Sequence, residues 1–171
     1  IDQLYSKGVR CFVVSSIPED KSIYKNTSFI LVENTLLSLQ LIAIFCRGGF
    51  NKPLIGITGS NGKTIIKEWL TQILSGTQKV IRSPKSFNSQ VGVPLSLWRL
   101  DNDFDLAIIE AGISLPGEMK NLEKMIKPDI GIMTNVGEAH QENFKDFEEK
   151  IEEKLDLFKE SSILIYCKDH R

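Results

Sequence analysis

Leu54-Ile55-Gly56-Ile57-Thr58-Gly59-Ser60-Asn61-Gly62-Lys63-Thr64, continued by Ile65-Ile66-Lys67-Glu68-Trp69-Leu70, constrains this chain more than any other stretch. It reads as a short apolar strand, a Gly-rich turn and an amphipathic helix that begins at Lys63 and Thr64. Such a turn aims backbone N–H groups and the positive end of a helix dipole at one point, an arrangement suited to a phosphate. Gly59 and Gly62 allow backbone conformations closed to residues with a Cβ and let an anion approach the main chain. In this pattern Lys63 neutralises the β/γ-phosphates and the Thr64 hydroxyl holds Mg²⁺. Gly59, Ser60, Asn61, Gly62, Lys63 and Thr64 are therefore the candidate nucleotide-binding residues. A strict Gly-x-x-x-x-Gly-Lys-Ser/Thr motif needs glycine where this chain has Ile57, so what remains is Gly-x-x-Gly-Lys-Thr. That shorter run also fits a turn that merely caps a helix. The strand before it and the helix after it favour the phosphate reading.

With 171 residues, 42% of them apolar, the chain can bury one good core and a small part of a second. The net charge of −1 and the lack of a dense Lys/Arg cluster argue against a nucleic-acid partner. Cys11, Cys46 and Cys167 are odd in number and lie in or beside apolar runs. They read as buried thiols of a reducing, cytoplasmic compartment rather than a disulfide framework or a zinc site. The longest apolar run, Leu41 to Cys46, is far too short to cross a bilayer. The sequence opens on Ile1 in the middle of a helical pattern, which reads as a piece of a longer chain.

In chain order, a short helical start ends at Gly8, and Val9 to Val14 reads as a buried strand. A polar loop covers Ser15 to Thr27, and Ser28 to Val32 is a second strand. Asn34 or Thr35 caps a helix from Leu36 to Cys46. The run Arg47-Gly48-Gly49-Phe50-Asn51-Lys52-Pro53 breaks the periodicity and marks a domain boundary, giving domains 1–50 and 51–171. Beyond the P-loop helix come a strand from Lys79 to Arg82, a polar loop from Ser83 to Gln90 and a short helix around Pro94. Asp105 to Glu110 is an apolar strand ending in a carboxylate, and Pro116-Gly117-Glu118 opens a helix to Lys127. Asp129 to Asn135 is another buried strand. Phe144 to Lys159 is an amphipathic helix with Phe147, Ile151, Leu155 and Phe158 along one stripe, and Ser162 to Tyr166 is a last strand. Alternating strands and helices predict an α/β fold with a mostly parallel sheet and right-handed crossovers, preceded by a smaller partial α/β domain.

Ligands of such sheets bind at the carboxyl ends of the strands. That rule gathers Thr58 to Thr64, Glu110 and Asn135 to His140 onto one rim. Glu110 sits where a Mg²⁺-binding carboxylate would follow its strand, although a carboxylate can also simply end one. His140 alone is weak evidence for a ligand, because Mg²⁺ prefers oxygen. His170 carries no pattern.

Thr58-Gly59-Ser60-Asn61-Gly62-Lys63-Thr64, Glu110-Ala111-Gly112 with Pro116-Gly117-Glu118, and Thr134-Asn135-Val136-Gly137-Glu138-Ala139-His140 resemble the Mur ligase family in order and spacing. The family's shorter P-loop also lacks the first Walker glycine. The resemblance implies an enzyme that couples ATP cleavage to amide-bond formation in peptidoglycan precursor synthesis. Phe87-Asn88-Ser89-Gln90-Val91-Gly92-Val93-Pro94 and the Glu-Ala-Gly…Pro-Gly-Glu stretch look like the branch acting on UDP-N-acetylmuramoyl-tripeptide and D-alanyl-D-alanine. The relative that forms the tripeptide would show Glu-x-Ser-Ser-His here; it and folylpolyglutamate synthase are the nearest other members. Of other classes, a GTPase switch lacks its Asn-Lys-x-Asp motif, and a non-catalytic nucleotide-binding module stays open. By resemblance, Gly59 to Thr64 bind ATP, Glu110 and His140 form a metal-binding pair, and Asn135 lies near the nucleotide. Ser86, Asn88 and Ser89 match a loop contacting the UDP-muramoyl substrate, with Ser89 where the family more often has asparagine.

Lys154 falls fourteen residues after His140, where the family carries a lysine carbamoylated by CO₂. The resemblance thus adds Lys154, as a carbamate and metal ligand, to Lys63, Glu110 and His140 as the implied catalytic set. Carbamoylation needs a neutral amine, which partial burial promotes. Lys154 lies at the edge of the apolar stripe, where burial is plausible; Lys150 and Lys159 read as more solvated.

Overall fold

The structure, a computed structural model, describes residues 1–137 and 141–168. The chain clusters into two compact units, Ile1–Leu39 and Gln40–Arg171. In the first, α1 (Asp2–Ser6) precedes β1 (Cys11–Val14), which pairs in parallel with β2 (Ser28–Leu31), Phe12 opposite Phe29. Phe12 stacks on Phe29, whose other neighbour is Tyr24. The expected buried strand is buried only at Phe12; Cys11 and Val13 are exposed because a two-stranded sheet covers little of either face.

α2 (Thr35–Gly49) starts where Asn34 Oδ1 accepts the Leu37 N–H at 2.9 Å. It continues three residues past the expected end at Cys46, through Gly48 and Gly49. Tertiary bonds explain the extension. Arg47 donates to the carbonyls of Phe50, Ile126 and Lys127 and lies 3.3 Å from Asp129 Oδ2. These bonds, all within the second unit, hold the helix end against the low helix propensity of glycine.

The second unit is a five-stranded sheet with every pairing parallel. In chain order its elements are β3 (Leu54–Thr58), α3 (Lys63–Leu74), β4 (Val80–Arg82), α4 (Gly92–Leu97), β5 (Leu106–Glu110), α5 (Glu118–Ile126), β6 (Ile130–Met133), α6 (Phe147–Leu155) and β7 (Ile163–Tyr166). The spatial order is β4-β5-β3-β6-β7, which puts β3 in the middle. Every residue of β3 and β5 is buried, as expected for strands covered on both faces. Ile55, Ile57, Leu106 and Ile108 pack under Ile66, Leu70 and Leu74 of α3. The opposite core joins Leu54, Ala107 and Ile109 to Val93, Leu97, Met119 and Leu122.

Two expectations fail in α6 and among the cysteines. Phe147 and Leu155 are 38% and 39% exposed and, with Ile151, line a groove of about 410 Å³ beside Leu164 and Tyr166 of β7. The buried side of α6 carries Lys150, Glu153 and Lys154 instead, because that side faces the polar rim of the sheet. Phe158 alone of the expected stripe is buried, in the 3-10 turn Asp156–Phe158. Lys150, expected to be solvated, is 1% exposed, whereas Lys159 is open to solvent. Cys11 and Cys167 are exposed and Cys46 is half-buried, so the buried-thiol reading does not hold.

Candidate functional site

The turn Gly59–Gly62 sits at the carboxyl end of β3, between the ends of β5 and β6. Gly59 has φ +142, and a Cβ there would lie 1.9 Å from Thr134 Oγ1 and 2.9 Å from the Asn135 carbonyl. Gly62, at φ +81, is the N-cap of α3 and has open space beside it. Both glycines are required, one by crowding and both by backbone angle. The segment after β6 braces the turn. Ser60 N–H donates to the Asn135 carbonyl (2.8 Å), Asn61 N–H to Asn135 Oδ1 (2.9 Å), and Thr134 Oγ1 to the Asn61 carbonyl (2.6 Å). Gly137 N–H donates to Ser60 Oγ at 2.9 Å. Asn135 is thus placed on the P-loop itself, as a brace.

Lys63 folds back over the turn, its amine donating to the carbonyls of Gly59 (2.8 Å) and Ser60 (3.3 Å). Burial lowers the pKa of this ammonium, and the charge of Glu110 opposes that shift. Thr64 Oγ1 donates to Glu110 Oε2 at 2.9 Å, so the strand-end carboxylate and the start of α3 meet on one rim. Glu110 is 1% exposed. Its Oε1 accepts from Asn88 Nδ2 at 2.7 Å, its N–H donates to Ser83 Oγ at 3.1 Å, and Lys67 lies 3.5 Å from Oε2.

Of the expected substrate residues, Asn88 therefore reaches Glu110. Ser86 Oγ lies 3.5 Å from Thr64 Oγ1, and Ser89 Oγ accepts the Gly92 N–H at the start of α4. Two clefts flank Lys63. One, about 310 Å³, is bordered by Asn61, Thr64, Ser86 and Glu110; the other, about 160 Å³, by Gly59, Asn88, Ser89, Gln90, Glu118 and Lys154.

Lys154 is 3% exposed, and its amine forms no hydrogen bond or ion pair with the described residues. Its pKa is lowered to about 8, first by burial and then by the charges of Lys63 and Lys150. The preceding residue, Glu153, accepts the N–H of Gly117 at the start of α5, at 2.5 and 3.1 Å, and so fixes α6 beside the cleft. His140 and His170 lie outside the described residues.

The donor set suits Mg²⁺. Thr64 Oγ1 and the Glu110 carboxylate are oxygen donors 2.9 Å apart at the mouth of the turn. The buried hydroxyl of Thr58, at the carboxyl end of β3, has no hydrogen-bond partner among the described residues. Among the described residues no group of three His, Cys, Asp or Glu gathers elsewhere to compete.

Sequence reading missed Lys67, Glu153, Thr134 and Ser83. Lys67 alone had a signal, its spacing four residues from Lys63, which puts both on one face of α3. The other three act through contacts distant in sequence.

A parallel α/β sheet whose central strand ends in a glycine turn, a helix N-terminus, a lysine and a threonine–carboxylate pair defines a P-loop domain. Residues 57–171 match the Mur ligase middle domain, and the chain belongs to that family. UDP-N-acetylmuramoyl-tripeptide–D-alanyl-D-alanine ligase of Borreliella burgdorferi is 38% identical over 86% of this chain and 33% of the relative. The enzyme of that name from Bacillus subtilis is 32% identical over 99% of this chain and 37% of the relative. The chain thus spans about a third of the length of these relatives. Among solved structures, the MurF ligase of Thermotoga maritima in complex with ADP superposes with a TM-score of 0.82 at 28% identity, over 96% of this chain and 44% of that one. MurF from Acinetobacter baumannii reaches a TM-score of 0.88 at 24% identity, over 99% and 37%, a likeness of fold.

Proposed function

We propose that this chain is the ATP-handling part of a ligase that joins D-alanyl-D-alanine to UDP-N-acetylmuramoyl-tripeptide in peptidoglycan precursor synthesis. The observation that carries the reading is the position of Lys63 between two clefts, with Thr64 and Glu110 on one side and the buried amine of Lys154 on the other. The names of the relatives and the ADP bound by the Thermotoga maritima enzyme support it. Residues 1–50 would then belong to the domain that binds the uridine nucleotide, and 51–171 to the ATPase domain. With ATP and a uridine nucleotide as substrates, the proposed reaction would run in the cytoplasm and serve wall growth and cell division.

In the first step the terminal carboxylate of the tripeptide attacks the γ-phosphorus of ATP. The bond to ADP breaks and an acyl phosphate forms. The free amine of D-alanyl-D-alanine then adds to the acyl carbon, loses a proton and expels phosphate. Gly59 to Thr64 hold the ATP phosphates. Lys63 leaves the Gly59 and Ser60 carbonyls to neutralise the moving phosphoryl group, the type of interaction that dominates such catalysis. Asn135 and Thr134 keep the turn in shape. Ser86, Asn88 and Ser89 border the acceptor side of the clefts. Mg²⁺, when bound, supplies charge neutralisation at the phosphates; Thr64, Glu110 and His140 would hold one ion and carbamoylated Lys154 a second.

The test is ATP-dependent phosphate release by the full-length gene product. UDP-N-acetylmuramoyl-tripeptide with D-alanyl-D-alanine is expected to support turnover, and folate with glutamate is not; the reverse result overturns the assignment. The 171 residues by themselves are expected to bind nucleotide weakly and not to ligate.

A further inference from the structure

Lys67 lies one helical turn beyond Lys63 on α3 and is completely buried, a placement lysine tolerates only when its charge is met. Its amine stands 3.4 Å from Glu68 Oε1 and 3.5 Å from Glu110 Oε2. It also donates to the backbone carbonyl of Lys85, a residue with φ +48 at the head of the loop carrying Ser86, Asn88 and Ser89. Glu68 in turn pairs with Arg82 Nε at 3.0 Å. Charge therefore alternates along Arg82, Glu68, Lys67 and Glu110, from the surface into the cleft. The same loop returns to the carboxylate through Asn88, and Gly112 N–H donates to the Asn88 carbonyl at 2.8 Å.

We propose that Lys67 is a positioning residue for the ligation site. Its ammonium aims the Glu110 carboxylate at Thr64 and grips the Lys85 carbonyl at the same time. The phosphate side of the site and the acceptor-side loop are then set as one unit by one buried cation. Lys67 itself touches neither substrate. Without it, the Glu110 carboxylate keeps the neutral donors Thr64 and Asn88 and the more distant charge of Lys63, and the Lys85 carbonyl loses a partner. The inference rests on the reading of Glu110 as the carboxylate of the phosphate site.

The experiment compares the wild-type full-length protein with Lys67→Met, Glu110→Gln and the double variant. Thermal unfolding is followed first, without nucleotide or metal. Lys67→Met should lower the melting temperature by about 5 °C or more, because it strands a buried carboxylate. Adding Glu110→Gln should raise it again, since the stranded charge is then gone. A double variant that folds where Lys67→Met does not supports the inference as well. Additive losses, or a double variant no better than the single, overturn it. Calorimetric titrations follow with Mg²⁺–ADP and with UDP-N-acetylmuramoyl-tripeptide. Lys67→Met, or the double variant against Glu110→Gln, should weaken the tripeptide by ~10-fold, the scale of one charge-assisted hydrogen bond. Lys67→Met should weaken Mg²⁺–ADP by a similar factor while the KM for D-alanyl-D-alanine stays within about twofold. Unchanged affinities beside a lowered melting temperature mean a merely structural lysine and overturn it. A wild-type protein that binds no nucleotide sinks the ligase reading instead, while the unfolding comparison still decides whether Lys67 serves Glu110.

Discussion

Lys154 places a buried cation beside two others, and the cost of doing so is measurable. Its pKa falls from the usual 10.5 to about 8, chiefly through burial and further through Lys63 and Lys150. A proton held about 2.5 pH units less tightly, at ~1.4 kcal/mol per unit, corresponds to about 3 kcal/mol against the folded state when the amine is charged. Below pH 8 the amine is protonated folded and unfolded, so the whole cost is present. Between about 8 and 10.5 the unfolded chain holds more protons than the folded one, and stability rises with pH through that window. Above 10.5 the cost is gone. Lys154→Met keeps the volume and removes the charge, so in CO₂-free buffer at pH 7 it should stabilise the protein by up to about 3 kcal/mol. It should also flatten the rise between pH 8 and 10. Urea unfolding of the full-length protein at pH 7, 8.5 and 10 measures both effects. A variant less stable than wild type at pH 7, with the same pH slope, refutes the reasoning. The low pKa is also what carbamoylation requires: adding CO₂ turns the repulsion from Lys63 and Lys150 into attraction. With ¹³C-bicarbonate, wild-type protein should show a carbamate carbon resonance that Lys154→Met lacks, and that variant should lose ligase turnover.

Other substitutions separate the parts of the site. Lys63→Ala should abolish turnover and leave the circular dichroism spectrum unchanged, because among the described residues the amine hydrogen-bonds only to the Gly59 and Ser60 carbonyls of the turn; near wild-type product formation would contradict its role. Gly59→Ala should cost on the order of 1–3 kcal/mol in unfolding experiments and remove nucleotide binding, since its Cβ would collide with Thr134 and Asn135 at φ +142. Asp146→Ala removes the side chain that caps α6 through the Glu149 N–H (2.8 Å), and denaturant titration should register a loss of about 1 kcal/mol.

The sequence by itself determined the order of strands and helices and the chemistry of the turn. Short apolar runs between turn signals, such as Leu106 to Ile109, read as strands covered on both faces, and Gly59, Gly62 and Lys63 act through local backbone geometry. The rim shared by Thr64 and Glu110 followed as well, because parallel strands bring all their carboxyl ends to one edge. Tertiary structure decided which side of α6 is buried. Helical periodicity pointed to Phe147, Ile151 and Leu155, yet Lys150, Glu153 and Lys154 face inward, because the neighbours of that side are the turn, the start of α5 and the cleft. It likewise decided that Lys67 is a buried partner of Glu110 and that Asn135 braces the P-loop. Spacing along a chain reports which residues share a face. What that face meets is set by segments tens of residues away, and the meeting decides whether a lysine is solvated, paired or buried beside other cations.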